Sequence, residues 1–267
     1  MNIPPTITIA GKSNHPITVK RFGYGTMRLP GEDVYGEPAN RPNALNILKQ
    51  AIKSGINFLD TADYYGEDVT NRLITEALYP YPDDLVICTK VGATRKPDKS
   101  WIAFNSPENL RTSIENNLRT LKIDQVTLVH FRVAPGFGDF EKSMEAMFKM
   151  QQEGKILHVG VSNVDVVELE TAMKMGEVAT VENMFGHGQR TLQQSVHGEN
   201  RGGEEILHIC EANEIPLIPY FSLFNSLHKK DTRIAKIAQK YQVNEAQINL
   251  AWLLHYSLEL SANLCSR

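Results

Sequence analysis

Val126-Thr127-Leu128-Val129-His130-Phe131-Arg132 is predicted to form a strand. The segment 140–153 that follows it is predicted to form a helix. Residues 126–132 are an apolar, partly β-branched run with the length of a buried strand. The pattern repeats at once, because a similar run at 156–162 precedes the helical segment 166–175. Gly154 and Gly176 end the two helices, a position that favours glycine. Two such units in succession predict parallel strands joined by helices.

The same unit recurs on both sides of this stretch. Strands are predicted at 20–25, 57–60, 85–90, 180–184 and 216–221, with helices at 42–54, near 69–78, from Pro107, at 204–211 and at 232–254. Two short β-prone runs, 7–10 and 17–20, come first. Seven strands that each lead into a helix favour a closed barrel over an open doubly wound sheet. We therefore predict an α/β fold with one domain, residues 1–267, a (β/α)₈ TIM barrel with an N-terminal β-hairpin.

The eighth βα unit of this barrel is expected to be missing or replaced. After His255 only residues 256–267 remain, and 258–264 matches a buried barrel strand poorly. A barrel of seven strands would leave its first and last strands with unpaired edges. Either the atypical tail, 255–267, fills this gap or the fold is weakened.

Composition and charge exclude several classes of function. The chain has 28 Lys and Arg against 31 Asp and Glu, a net charge of -3, and no polybasic run that would bind nucleic acid or an anionic membrane. We expect a cytoplasmic protein, since we find neither a signal peptide nor an apolar stretch of membrane-spanning length. Cys88, Cys210 and Cys265 are too scattered for a disulfide framework or a zinc site. The expected partner is a small molecule, and the expected state is a monomer or a weak homo-oligomer.

Polar residues at the ends of the second and third strands are the candidate catalytic groups. Active sites of (β/α)₈ barrels lie where strands end and helices begin. Strand two ends at Asp60, Tyr65 follows five residues later, and strand three ends at Lys90. We expect the Lys90 charge to lower the pKa of Tyr65 so that the phenol can protonate a carbonyl oxygen, with Asp60 holding Lys90. Taken singly, Asp60 could cap a turn, Lys90 could reach water and Tyr65 could pack against its loop.

The stretch from Gly55 to Gly66, which contains Asp60 and Tyr65, resembles the signature of the aldo-keto reductase family. Lys90 matches the lysine of that family's catalytic tetrad, and the resemblance runs from about residue 17 to 254. It implies an oxidoreductase that reduces an aldehyde or ketone to an alcohol. Hydride would pass from NADPH (NADP in its oxidised form) to the carbonyl carbon while Tyr65 acts as general acid, with no metal.

The same resemblance implies a cofactor site at the strand ends. Residues 23–29 are similar to the family's first βα loop, whose backbone lies along the cofactor. Residues 159–163 are similar to the strand end that binds the nicotinamide carboxamide, and 219–223 to the strand end where an aromatic ring, here Tyr220, stacks on the nicotinamide. The candidate cofactor-binding residues are Gly25, Thr26, Met27, Asp60, Ser162, Asn163, Glu182, Tyr220, Phe221 and Leu223. Without the family, Ser162 and Asn163 suggest a helix N-cap, and Tyr220 suggests packing at the barrel mouth.

Departures from the family pattern occur at two site positions and at the end of the chain. Arg132 stands where the family usually has a catalytic histidine; it could orient a carbonyl oxygen and stabilise developing negative charge. His130, on the same strand face, is the alternative, or it is a satisfied core histidine. Glu182 stands where the family generally has glutamine, and a carboxylate accepts but does not donate hydrogen bonds, so altered cofactor binding is expected. No segment for the adenosine 2′-phosphate follows Leu254, which leaves NADPH against NADH open.

Arginine at position 132 also occurs in a subgroup that resembles bacterial pyridoxal reductases, so pyridoxal is a candidate substrate. Two other functions remain open. The chain could be a catalytically impaired nucleotide-binding or regulatory barrel, or a defective truncated product. It could also be a lyase that uses Lys90 as a Schiff-base amine, which the partners Asp60 and Tyr65 disfavour.

Overall fold

The computed structural model describes residues 4–187, 190, 202–222 and 232–257, and the backbone of 262–265. An antiparallel hairpin comes first, formed by β1 (Thr6–Ile9) and β2 (Ile17–Lys20). Its inward residues pack with Phe58 and Val86, which lie at the amino ends of two sheet strands. The hairpin therefore covers the amino-terminal end of the sheet, opposite the end where the strands finish.

A parallel sheet forms the centre of the molecule. Its strands are β3 (Phe22–Gly25), β4 (Phe58–Asp60), β5 (Val86–Arg95), β7 (Val126–Arg132), β8 (Ile156–Ser162), β9 (Val181–Glu182) and β10 (Ala262–Cys265), and β6 (Trp101–Phe104) pairs antiparallel with β5. The order in the sheet is β10-β3-β4-β5-β7-β8-β9. Parallel bridges then join β9 and Met184 to Leu217 and Tyr220, in the predicted seventh strand. The eight positions follow the order of a (β/α)₈ barrel, which confirms the predicted fold class.

Helices connect successive strands. They are α1 (Arg41–Lys53), α2 (Val69–Leu78), α3 (Pro107–Leu121), α4 (Phe140–Gln152), α5 (Val166–Met175), α6 (Glu204–Asn213), α7 (Thr232–Tyr241) and α8 (Glu245–Tyr256). Ser106 caps α3, since its side chain accepts a hydrogen bond from the backbone N–H of Asn109. The largest apolar cluster lies between the sheet and the later helices and includes Val129, Phe131 and Val159, each of which is fully buried. Within the described part of the chain, no helix combines the length and apolar character needed to cross a membrane.

Three predicted elements differ in extent, for identifiable reasons. Strand 85–90 continues to Arg95 because it forms a hairpin with β6. Strand 216–221 makes only isolated bridges, since Pro216 and Pro219 have no N–H to donate to a ladder. The helical segment 232–254 is two helices, because Asn244 starts α8 with a capping box.

The C-terminal tail fills the eighth position of the sheet. β10 pairs in parallel with β3, so that Ala262 lies opposite Phe22 and Cys265 opposite Gly25. The poor match of 258–264 to a barrel strand did not predict this pairing, because ladder hydrogen bonds use the backbone of any residue except proline. Buried Arg21 donates to the carbonyl oxygen of Ser257 over 2.8 Å and so fixes the end of α8 beside the start of β3. Of the two expectations for the tail, the filled gap is the one observed.

Candidate active site

The carboxyl ends of the strands surround a cavity of about 370 Å³. β4, β5, β7, β8 and β9 all finish at this end of the sheet, so the polar residues at their ends converge there. The lining residues are Met27, Val34, Tyr64, Tyr65, Lys90, Trp101, Arg132, Pro135, Asn163, Glu182, Met184, Tyr220 and Phe221. Predicted catalytic and predicted cofactor-binding residues thus share one cavity.

Lys90 lies at the floor of this cavity and is only 2% exposed. Its ammonium donates to Asp60 Oδ1, lies 3.3 Å from Glu182 Oε2 and donates to the Thr61 carbonyl oxygen over 3.4 Å. The alternative that Lys90 simply reaches water is therefore wrong. The predicted contact between Asp60 and Lys90 is present, and Glu182 adds a second carboxylate that the sequence did not predict beside the lysine.

Burial and charge act in opposite directions on these three groups. Burial favours neutral Lys90, but Asp60 and Glu182 outweigh it and raise the pKa of the ammonium well above its ordinary value. Burial and the Glu182 charge raise the pKa of Asp60 to about 6, although Lys90 opposes both. Burial also disfavours the Glu182 carboxylate, yet Lys90 and His130 more than compensate and lower its pKa. Lys90 thus stays an ammonium ion, which disfavours a role as a neutral Schiff-base amine.

Tyr65 is also buried, and its ring centroid lies 5.4 Å from the Lys90 ammonium. The expected lowering of its pKa is wrong in sign. Burial raises the pKa of Tyr65, and the nearby Lys90 charge offsets only part of that effect. The phenol therefore keeps its proton. Its hydroxyl makes no hydrogen bond to the described residues, so it can donate to a molecule bound in the cavity.

Arg132 and His130 occupy different places although both lie on β7. Arg132 lines the cavity, with its guanidinium carbon 6.0 Å from the centroid of the Tyr220 ring. His130 is fully buried and lies behind the lining. Its Nδ1 is 3.1 Å from Glu182 Oε2, and its Nε2 is 2.7 Å from Thr180 Oγ1. Of the two, Arg132 can touch a ligand, whereas His130 lies in the core beside Glu182, with its Nδ1 also 3.2 Å from Cys88 Sγ.

The donor atoms of Asp60, Cys88 and His130 lie within 4.8 Å of one another. This group does not fit a metal ion, because the Lys90 ammonium already binds Asp60 and would repel a second cation. Burial also raises the pKa of the Cys88 thiol, which disfavours the thiolate that metals require. Cys88 is fully buried, as its strand position predicts.

The predicted cofactor residues divide into lining and supporting groups. Met27, Asn163, Glu182, Tyr220 and Phe221 line the cavity. The Tyr220 hydroxyl donates to Asn163 Oδ1 over 2.9 Å, and Asn163 Nδ2 donates to the Val133 carbonyl oxygen over 2.8 Å. This chain of contacts fixes the Tyr220 ring at the edge of the cavity.

The other predicted cofactor residues that the structure describes are not among those that line the cavity. Gly25 and Thr26 are buried behind it, where the Thr26 backbone N–H and hydroxyl both donate to the Asp60 carbonyl oxygen. Ser162 is fully buried and its Oγ has no partner among the described residues. Leu223 lies outside the described residues. Ser162 and Asn163 are not helix caps, because Asp165 caps α5.

Five residues that line the cavity were not predicted from the sequence: Val34, Tyr64, Trp101, Pro135 and Met184. Trp101 belongs to β6, and its β-prone run Trp101–Phe104 was the available signal. Tyr64 packs edge-on against both Tyr65 and Trp101, with ring centroids 5.4 and 5.5 Å apart. Aromatic faces therefore form one wall of the site.

Comparison with known proteins gives consistent matches over almost the whole chain. The model of the aldo/keto reductase family matches residues 21–263. A pyridoxine 4-dehydrogenase of Escherichia coli is 35% identical over 94% of this chain and 85% of its own length. An uncharacterised oxidoreductase of Schizosaccharomyces pombe is 32% identical over 90% of this chain and 75% of its own length.

Solved structures agree on the fold. A thermostable aldo-keto reductase, crystallised with the inhibitor epalrestat, has a TM-score of 0.80 and 26% identity, and the match covers 98% of this chain and 89% of that one. An aldo/keto reductase of Klebsiella pneumoniae, crystallised with NADP and acetate, has a TM-score of 0.76 at 21% identity, over 99% of this chain and 86% of that one.

Proposed function

Because the chain belongs to the aldo/keto reductase family and is an NAD(P)H-dependent oxidoreductase, we propose that it reduces an aldehyde or ketone with NADPH as hydride donor and Tyr65 as general acid. The observation that carries this proposal is the convergence of Tyr65, Lys90 and Arg132 on one cavity. Pyridoxal is the substrate we propose to test first, because the Escherichia coli relative is a pyridoxine 4-dehydrogenase.

The residues around Tyr220 fit a nicotinamide ring and its carboxamide. Tyr220 offers an aromatic face, Glu182 offers an acceptor oxygen in the cavity, and Ser162 Oγ is a buried polar atom without a partner in the described chain. Klebsiella pneumoniae structures with NADP and with NADPH support the choice of cofactor. When bound, the dinucleotide supplies the hydride.

The residues of this chain would supply binding, orientation and the proton. A carbonyl oxygen held between the Tyr65 hydroxyl and the Arg132 guanidinium accepts the phenolic proton as negative charge develops on it. Lys90 and Arg132 then stabilise the phenolate, since both positive charges favour the ionised form of Tyr65. Asp60 and Glu182 keep Lys90 in place below the phenol. The catalytic roles of Asp60, Tyr65, Lys90 and Arg132 are thus parts of one proposal.

The competing function is that of a barrel protein that binds the nucleotide but catalyses no reaction. Its main support was a missing eighth strand, and β10 lies in that position. The two functions separate in one experiment. Purified protein is titrated with NADPH while nucleotide fluorescence is followed, and NADPH oxidation is then assayed with pyridoxal and simple aldehydes. Absence of saturable binding would refute both functions, and binding without turnover would favour the competitor.

Tyr65→Phe tests the proton donor. We expect kcat to fall by roughly 10²–10⁴-fold, the usual contribution of general acid catalysis, while the Kd for NADPH changes little. Tyr79→Phe is the matched control, because Tyr79 is 51% exposed and lies outside the cavity lining. A Tyr65→Phe enzyme with the wild-type kcat would eliminate Tyr65 as the general acid.

A further inference from the structure

The guanidinium of Arg132 differs from the other cation of the cavity in its hydrogen bonding. Lys90 is held by two carboxylates and a carbonyl oxygen. The Arg132 side chain makes neither a hydrogen bond nor an ion pair with any residue in the described ranges, and its guanidinium carbon lies 6.0 Å from the centroid of the Tyr220 ring. Guanidinium carries five N–H donors in a fixed planar fork. A partly buried fork with unused donors is available to the acceptor oxygens of a ligand in the cavity.

One carbonyl oxygen does not use this fork fully. In the proposed reduction that oxygen also accepts the Tyr65 proton, so it offers Arg132 one further lone pair. The second arm of the guanidinium can bind an acceptor next to the first, since the planar fork suits two oxygens that lie side by side in one plane, as in a carboxylate. The substrate itself is the available source of that second oxygen.

The walls of the cavity indicate the rest of the substrate. Besides the Tyr220 ring assigned to the nicotinamide, Tyr64, Trp101 and Phe221 line the cavity with aromatic rings. The rings of Tyr220 and Phe221 meet edge to face with centroids 5.4 Å apart, and Tyr64 meets Trp101 in the same way. Flat apolar walls of this kind bury a planar ring through stacking and edge contacts.

We propose that Arg132 forms a subsite for a second oxygen next to the reacting carbonyl, so that the preferred substrates are aromatic aldehydes with an ortho hydroxyl or phenolate group. This inference rests on the proposed function and narrows its substrate class. Pyridoxal belongs to the class, because its ring carries a hydroxyl group beside the aldehyde. One arm of Arg132 binds the carbonyl oxygen and the other binds the ortho oxygen, while Tyr65 donates its proton to the carbonyl oxygen.

Two isomers test the subsite at constant size and composition: 2-hydroxybenzaldehyde and 4-hydroxybenzaldehyde. With saturating NADPH, we expect kcat/KM for the 2-hydroxy isomer to exceed that for the 4-hydroxy isomer by about tenfold or more, as a charge-assisted hydrogen bond contributes that much. Arg132→Lys keeps the charge but loses the fork, so the ratio should fall to within about twofold of unity. Because the same two aldehydes are compared in both proteins, their intrinsic reactivities cancel in the change of this ratio from wild type to Arg132→Lys.

Equal kcat/KM values in the wild type, or an unchanged ratio in Arg132→Lys, would overturn the subsite while leaving the reductase function intact. Binding keeps the inference testable if no aldehyde is reduced. The same isomers are then titrated calorimetrically into the protein with NADP bound. Tighter binding of the 2-hydroxy isomer that is lost in Arg132→Lys would support the subsite even though the reductase function fails, and equal binding would refute the subsite.

Discussion

The ion cluster of Lys90, Asp60 and Glu182 predicts an unusual response to mutation. The Lys90 and Glu182 side chains are 3% and 2% exposed, and their charged atoms are 3.3 Å apart. At an effective dielectric constant near 20, two charges at this distance attract by about 5 kcal/mol. Burying a carboxylate costs several kcal/mol in real proteins, so the two terms nearly cancel. Glu182→Gln should therefore change the free energy of unfolding by only about 1 kcal/mol.

Lys90→Met should behave differently because it leaves two buried carboxylates without their shared cation. Removing one partner from a buried ion pair costs about 3–5 kcal/mol, and this value is expected here. The double variant Lys90→Met/Glu182→Gln has one buried charge fewer than Lys90→Met. It should therefore be more stable than Lys90→Met alone, so that a second mutation at the site restores part of the lost stability.

Urea unfolding followed by tryptophan fluorescence and circular dichroism measures these differences, and coincident transitions test for two-state behaviour. Lys142→Met is the matched control. Lys142 pairs with Asp139 over 3.2 Å, but the two side chains are 70% and 49% exposed, and exposed pairs contribute about 0–1 kcal/mol. A double variant that is no more stable than Lys90→Met would refute the electrostatic account of the cluster.

Two further substitutions probe the surroundings of the site. Burial raises the pKa of Asp63 from 3.8 to about 7, although hydrogen bonding from Ser113 opposes this shift. Between about pH 4 and pH 7 the carboxyl group ionises in the unfolded state but not in the folded state, so the free energy of unfolding falls as the pH rises. Asp63→Asn should therefore gain about 3 kcal/mol relative to wild type between pH 5 and pH 8, and a gain that is independent of pH in urea unfolding would contradict this. Gly160→Ala should destabilise by about 1–3 kcal/mol, because its Cβ would lie 2.5 Å from His130 Cδ2 and 2.7 Å from Thr180 Oγ1. Gly138→Ala, with nothing within 4 Å, is its control in thermal unfolding, and equal losses would show that His130 does not fill the space beside Gly160.

The sequence predicted the centre of the fold better than its ends. Strands 126–132 and 156–162 were predicted with the observed bounds, since continuous apolar runs between helix caps define buried parallel strands. The extension of β5 past Lys90 was not predictable, because its pairing with Trp101–Phe104 depends on a hairpin that covers the barrel mouth. The pairing of β10 with β3 was missed for a related reason, because it joins the two ends of the chain through backbone hydrogen bonds.

Positions in the site were easier to predict than its electrostatics. Strand ends brought Asp60, Tyr65 and Lys90 together in the sequence analysis, and Lys90 and Tyr65 do line one cavity, with Asp60 bound to Lys90. The contact of Glu182 with Lys90 left no signal, since the two residues lie on strands that are not adjacent in the sheet. The sign of the Tyr65 pKa shift was wrong because a sequence gives the neighbouring charge but not the depth of burial, and burial is the larger effect.

Because its pKa is raised, Tyr65 holds its proton, and the phenolate left after proton transfer is the form that the protein must stabilise. A protonated phenol can donate its proton at neutral pH, so the energetic cost of general acid catalysis lies in forming the phenolate that remains. Lys90 and Arg132 favour that phenolate, whereas the charges of Asp60 and Glu182 oppose it. A carboxylate at position 182, where the resembling family generally has a neutral amide, therefore makes Tyr65 a weaker acid and a stronger base. In the proposed reduction, the charge of Glu182 thus raises the cost of the phenolate that Lys90 and Arg132 stabilise once the proton has passed to the carbonyl oxygen.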